Sequence, residues 1–381
     1  MRIGLIRMRY TPYGGAEVFM ARFVDELLRL GHTVDVFAAD WQEKKGVAVH
    51  RVKTWGPSFL RPLVFAANAA KAVERVRPDV VISLERTACQ DIYRAGDGVH
   101  KEWLLQRKKA AQGLTAGLKG VLTGLNPLRG FNPLHAVLLN LEKRLFSDKR
   151  LKKVVANSNR VKQEIIRHYG LPEKKICVIY NGINADEFAG RVAAADRAGV
   201  RKELSVSEDE CLLLFIGSGF ERKGLVYLIR ALKPLMEAGK KPRLLVVGKG
   251  RAAGYLKEAE ALGVADRVIF KGAVKDAARF YAAADIFVLP SIYEPFSNAC
   301  LEAMAAGLPV VTSRINGASE IITEPVNGAV IEEPADHLEI AKKIAFFLDG
   351  QKRKLSGEAA RRTAFEYTIE KNVSEFLRLI V

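Results

Sequence analysis

Two glutamates eight positions apart, Glu294 and Glu302 in the segment EPFSNACLE, stand on either side of a predicted helix start. The apolar run IFVL just upstream reads as a buried strand, and Pro290 and Pro295 keep the residues between out of helix. Ser297 is placed to cap the helix, NACLEAMAA continues it, and Gly307 with Pro309 behind it ends it. Glu294 therefore falls in a loop at a strand exit and Glu302 about one turn inside the helix. The first-turn N–H groups of Ser297, Asn298 and Ala299 have no carbonyl partners within the helix, which suits a phosphate. Two carboxylates would repel a bare phosphate but accept hydrogen bonds from hydroxyls. A nucleotide sugar offers both chemistries.

A second segment, IGSGFERKG, follows another buried strand and places Arg222 and Lys223 beside glycines, Gly217 among them. Two cations at a strand's carboxyl end would offset charge on a departing nucleoside diphosphate without a metal ion. The segment VVGKGRAAGY has glycines at 248, 250 and 254, but this spacing is one residue longer than a dinucleotide fingerprint, which disfavours a nicotinamide-dependent dehydrogenase.

These segments need a scaffold. At 381 residues, about half of them hydrophobic, the chain is long enough for two domains with sizeable cores. Strands at IGLI and HTVDVFAAD flank an amphipathic helix, and the loop between carries Gly14 and Gly15, where open parallel sheets bind ligands. Further strands are predicted at residues 79–83 and 153–157, the second followed by the helix NRVKQEIIRHYG. CVIYNGINADEF reads as the last strand and exit of a first domain. A second series then alternates LLLFIGS, a helix over 225–238, RLLVVGKG, a helix over 253–262, RVIFKGAV, helix DAARFYAAA, DIFVLP, the helix with Glu302, PVVTS and helix SEIIT. Alternation of this kind predicts an α/β fold of two doubly wound parallel sheets with a ligand cleft between them. The expected division is 1–188, 189–360, and a C-terminal helix over 361–381 that packs back on the first domain.

The formal net charge is +17, and it is unevenly spread: residues 1–190 hold 32 of the 60 Lys and Arg but only 18 of the 43 Asp and Glu. Within residues 101–153, 12 basic side chains face 3 acidic ones. Such a face implies an anionic partner. Nucleic acid is disfavoured, because no zinc spacing, helix-turn-helix or interleaved aromatics accompany the charge. In the same segment an apolar helical stripe is accompanied by a second stripe of Gly113, Gly117, Gly120 and Gly124, at a cost of roughly 4 kcal/mol against alanine. Lys101, Trp103, Arg107, Lys108, Lys109 and Lys119 lie in it. Two readings stand: an interfacial helix ordered on an acidic membrane, or a helix packed on its own domain through the glycines. No run of about 18 apolar residues occurs, and the amino terminus is too short and too charged for a secretory signal, so a cytoplasmic protein at the inner membrane face is expected. Cys89, Cys177, Cys211 and Cys300 are far apart and read as thiols.

YGG in the first loop, GSGFERKG, and EPFSNACLE followed by EAMAAGLPVV together resemble family 4 of the retaining glycosyltransferases. YTPYGGAEVFMAR, RAGDGVHKEW and the basic insert are similar to its members that move glucose from UDP-glucose to an inner-core heptose of lipopolysaccharide. The resemblance implies the GT-B fold of two facing Rossmann-like domains, no cofactor or metal, and a set of roles. Glu302 would accept from the ribose hydroxyls, and Glu294 would bind hydroxyls of the hexose with backbone N–H groups from Phe296 to Ala299. Arg222 and Lys223 would hold the diphosphate, with Gly14 and Gly15 closing on it. Asp97, in the AGDGVH loop, would lie near the hexose or an anionic glycolipid acceptor, with His100 as runner-up.

Overall fold

The computed structural model of the chain describes residues 1–9, 15–115 and 132–380. Two compact units emerge. The first comprises Met1–Leu105, Pro127–Asn181 and Ile369–Val381; the second comprises Gln106–Asn126 and Gly182–Thr368. The first boundary thus lies at 181/182 and not at 188/189.

The first unit is a seven-stranded sheet of β1 (Arg2–Ile6), β2 (Thr33–Ala38), β3 (Val47–Arg51), β4 (Val80–Ser83), β5 (Ile92–Ala95), β6 (Lys153–Ala156) and β7 (Ile176–Val178). Its order is β3-β2-β1-β4-β5-β6-β7, and every pair is parallel. The second holds β8 (Leu212–Ile216), β9 (Arg243–Val247), β10 (Val268–Gly272), β11 (Ile286–Leu289), β12 (Val310–Ser313) and β13 (Gly328–Ile331). These are ordered β10-β9-β8-β11-β12-β13, again all parallel. Helices cover both faces of such sheets, so their strands read as unbroken apolar runs, and Leu212, Leu213, Leu214, Phe215, Ile286, Phe287, Val288 and Leu289 are all fully buried.

Strand order reverses between β1 and β4 in one sheet and between β8 and β11 in the other. Ligands of open parallel sheets bind outside the strand ends at that reversal. In the second unit the two exits there carry Arg222 with Lys223 and Glu294.

The Asn159–Tyr169 helix shows how local signals set the elements: the Ser158 side chain accepts from Val161 N, and Gly170 ends the helix in the left-handed region. Elsewhere the chain departs from expectation. SEIIT is not an α-helix but part of a 3-10 turn, Gly317–Ile321, because Asn316 and Asn327 side chains capture the amides of Ala318 and Thr323. The C-terminal segment is two helices, Gly350–Ala364 and Ile369–Leu377, the break occurring where the Tyr367 carbonyl accepts from Ile183 N. Only the second belongs to the first unit, where Phe376 packs against Phe19 and Phe23 at ring distances of 5.7 and 5.1 Å. All four cysteines are free thiols.

Candidate functional site

The turn between β8 and the Leu225–Glu237 helix is built on close approach. Gly217 has φ +144°, and a Cβ there would lie 2.3 Å from Lys223 Cε; a Cβ on Gly248 would lie 2.2 Å from the Gly217 carbonyl oxygen. Gly248 therefore serves the packing of two strand exits against one another, which accounts for one glycine of the VVGKG segment. Arg222 and Lys223 sit in the turn before the helix, where Lys223 N donates to Gly219 O and Ile292 N to Arg222 O. The second of these bonds ties the turn to the exit of β11.

There the two cations meet Glu294. Arg222 Nη1 donates to Glu294 Oε2 at 2.8 Å and to Tyr293 O at 3.1 Å, and Lys223 Nζ donates to the same carboxylate oxygen at 2.9 Å. Lys223 is 8% exposed and Glu294 9%. Burial alone would raise the Glu294 carboxyl, but the charges and hydrogen bonds of Lys223 and Arg222 outweigh it and hold its pKa below the ordinary carboxylate value. One carboxylate thus balances two cations, leaving a net positive charge for a phosphate to meet.

Glu302 lies on the Asn298–Ala305 helix, half-buried, and Tyr281 OH donates to its Oε2 at 2.8 Å. Burial pushes this carboxyl up, against the Tyr281 hydrogen bond and the charges of Arg191 and Lys223. Phe296 and Ser297 are buried, Asn298 and Ala299 half-buried. The expected capping by Ser297 is corrected: it occupies the N-cap position but its hydroxyl makes no cap hydrogen bond. Its amide is not left open for a phosphate either, since Ser297 N donates to Asn316 Oδ1 at 3.2 Å.

Asn316 is the residue sequence reasoning missed here. Fully buried, it accepts from Ser297 N and Ala318 N, and donates to Thr312 Oγ1 and the Cys300 thiol. Its backbone pairs with Glu294 in a parallel bridge, with Gly317 N donating to Glu294 O at 2.9 Å. The loop that presents Glu294 is thereby fixed to the exit of β12. An asparagine three residues beyond a predicted strand was the available signal.

In the first unit the AGDGVH loop follows β5. Asp97 is exposed; His100 is buried, its Nε2 3.1 Å from His135 Nδ1. Burial and the nearby Arg86 charge push the His100 imidazole down to about 4, so it is neutral at physiological pH and turned inward. A second missed residue, Glu142, organises the loop. It accepts from Arg86 Nε and from the amides of His100 and Lys101, capping the His100–Thr115 helix. Arg86 in turn donates to Gly98 O at 3.2 Å and lies 3.8 Å from Asp97 Oδ2. A glutamate inside the apolar helix PLHAVLLNLEKRLF was the sequence signal.

Of the remaining expected residues, Gly15 begins the Gly15–Arg29 helix, while Gly14 and Lys119 lie outside the described residues. Lys101 and Lys108 are exposed and Trp103 half-buried. Within the second compact unit, Arg107 pairs with Glu221 and Lys109 with Glu333, each at 2.9 Å. Two of the five expected membrane cations are therefore already engaged, though such surface pairs hold by only about 1 kcal/mol or less.

The fold is a pair of parallel sheets with the Glu294, Arg222 and Lys223 cluster at the strand exits of the second, and comparison with known proteins assigns the class. Residues 13–187 match the family model for Glycosyltransferase Family 4 and residues 196–363 that for Glycosyl transferases group 1. The chain is 31% identical to the uncharacterized glycosyltransferase MJ1607 of Methanocaldococcus jannaschii, over 86% of this chain and 84% of that protein. It belongs to this family of glycosyltransferases. It is similar to the lipopolysaccharide glucosyltransferase WaaG of Escherichia coli, at 25% identity over 88% of this chain and 86% of that one. A crystal structure of WaaG superposes with TM-score 0.80 over 100% of this chain and 99% of that chain, and the two Rossmann-like units match its GT-B fold. Anabaena HepE in complex with UDP-glucose shares the fold, with TM-score 0.69 and 20% identity over 100% of this chain and 99% of that one.

Proposed function

We propose that the protein transfers a hexose from a nucleoside diphosphate sugar, UDP-glucose being the first candidate, to a hydroxyl of an anionic glycolipid. The observation that carries this is the Glu294 carboxylate shared by Arg222 and Lys223 at the two strand exits flanking the sheet reversal. In this reading the donor diphosphate takes over the Arg222 and Lys223 hydrogen bonds, and Glu294 turns to the hexose hydroxyls. Glu302 accepts from the ribose. The donor C1–O bond to the β-phosphate breaks as the acceptor oxygen bonds to the same face of C1, and the acceptor proton passes to the departing phosphate oxygen. Configuration is retained. The two cations stabilise charge on the leaving phosphate where a metal ion would otherwise be required. Asp97, held by the Arg86 and Glu142 arrangement, faces solvent and suits a hydroxyl of hexose or acceptor. The resemblance to the lipopolysaccharide glucosyltransferase WaaG supports glucose as the sugar, and an inner-core heptose is the acceptor we propose.

The test is a screen of UDP-, GDP- and ADP-sugars in EDTA, followed by mass spectrometry of lipopolysaccharide-core acceptors with the active donor. Release of UDP from UDP-glucose and a hexose added to acceptor are expected; no turnover of any donor rejects the proposal.

The basic surplus of the first half supports peripheral attachment to an acidic membrane, on its cytoplasmic face. Among the described residues no helix is long and apolar enough to cross a bilayer. Exposed Lys101 and Lys108 are available, and an acidic surface competes with the weak Arg107 and Lys109 pairs. Flotation with anionic vesicles should succeed at low salt and fade as salt rises. Equal flotation with neutral vesicles, or none with anionic ones, rules the attachment out.

A further inference from the structure

Of the pair, Glu302 is the carboxylate that no cation touches among the described residues. The bonds recorded for it reduce to a single donor, Tyr281 OH to Oε2, and among the described residues Oε1 receives none. Tyr281 is 1% exposed, on the Ala278–Ala283 helix. Its ring is held edge-on by Phe188 at 5.2 Å and stacked over Phe287 of β11 at 6.0 Å. The ring is thereby held in place, and among the described residues its hydroxyl reaches Glu302 Oε2 and, at 3.4 Å, Ala299 O. A phenol buried this deeply with a carboxylate as its partner is a fixed dipole, and it decides which oxygen of Glu302 is spent inside the protein.

We infer that Tyr281 is a positioning residue for the donor nucleotide: by occupying Glu302 Oε2 it presents Oε1 to the ribose hydroxyls. This rests on the ribose role of Glu302 proposed above. The contact has an electrostatic consequence as well. Burial raises the Glu302 carboxyl, and the opposing influences come from three elements: Tyr281 on its helix, Arg191 on the Ala185–Ala193 helix, and Lys223 in the turn after β8. Arg191 is itself bound to Asp276, and Lys223 to Glu294. Tyr281 itself has the Cys300 thiol as a neighbour, pushed up to about 12 by burial and so uncharged. Without the Tyr281 proton the carboxyl rises further, so it protonates, and stops accepting from hydroxyls, at a higher pH.

The experiment is calorimetric binding of UDP and of 2′,3′-dideoxy-UDP to the wild type, Tyr281→Phe and Glu302→Gln across the mildly acid to neutral range. The wild type should prefer UDP by about tenfold or more. Tyr281→Phe keeps the ring and its packing; it should lose most of that preference and show UDP affinity failing at higher pH than the wild type. Its KM for donor should rise about tenfold, with kcat at saturation nearly unchanged. Glu302→Gln, which cannot titrate, should remove the acid limb altogether. A Tyr281→Phe protein that keeps the wild-type preference and pH profile overturns the inference while leaving the ribose role of Glu302 intact. A wild type indifferent to the missing hydroxyls overturns that role, and the inference with it.

Discussion

Replacing Lys223 with alanine should lower turnover by more than about 100-fold, because a preorganised charge aimed at the leaving phosphate contributes roughly 3 kcal/mol to the transition state. The ammonium is nearly fully buried, its stem lies against Gly217, and among the described residues its carboxylate acceptor is Glu294. Folding should suffer far less. Glu294 keeps Arg222 at 2.8 Å, so no buried charge is orphaned, and a loss of about 1 to 2 kcal/mol would move the melting temperature by only a few degrees. Steady-state kinetics of UDP release beside a thermal melt separates the two effects. Turnover near that of the wild type would remove Lys223 from the leaving-group site.

Glu294→Gln should divide binding from catalysis. In the unliganded protein the Glu294 carboxylate competes with phosphate for two cations; glutamine keeps the shape and withdraws the competition. UDP is expected to bind up to about tenfold more tightly while kcat falls about 100-fold, since the hexose loses the carboxylate that accepts from its hydroxyls. Acid gives the same message from the other side. With a folded pKa below the ordinary carboxylate value, the Glu294 pairs stabilise the protein fully above that value and are lost as pH falls through the lower one. The acid limb of stability below about pH 4.5 should therefore be shallower in the variant. Weaker UDP binding and unchanged kcat would mean that Glu294 serves only to hold the cations.

Much of this site could be read before any coordinates because its parts are local. LLLFI, RLLVV and IFVL are unbroken apolar runs, as strands buried on both faces must be, and the motif residues sit directly at their exits. Short elements were harder. VAVHR is an edge strand with mixed exposure, IYRA carries a buried arginine, and GAVI is four residues long, so β3, β5 and β13 went unrecognised. The residues missed at the site share a different reason. Asn316, Glu142 and Tyr281 act on groups 19, 42 and 21 positions away, and nothing in the spacing of a chain reports which polar side chain will face which backbone amide or carboxylate across that distance. The cations were read as neighbours of a phosphate site, and Glu294, which the structure sets against both of them, was assigned to the sugar alone. In the proposed function that pairing makes donor binding an exchange of one anion for another.

The central claim is that protein cations, without a metal ion, hold the donor diphosphate at the exits of β8 and β11. Calorimetric titration of UDP in EDTA, on the wild type and on the Arg222→Ala, Lys223→Ala double variant, tests it most directly. Micromolar binding that magnesium does not strengthen, and that the double variant loses, is the predicted result. Binding that appears only with magnesium, or that survives removal of both cations, would contradict it.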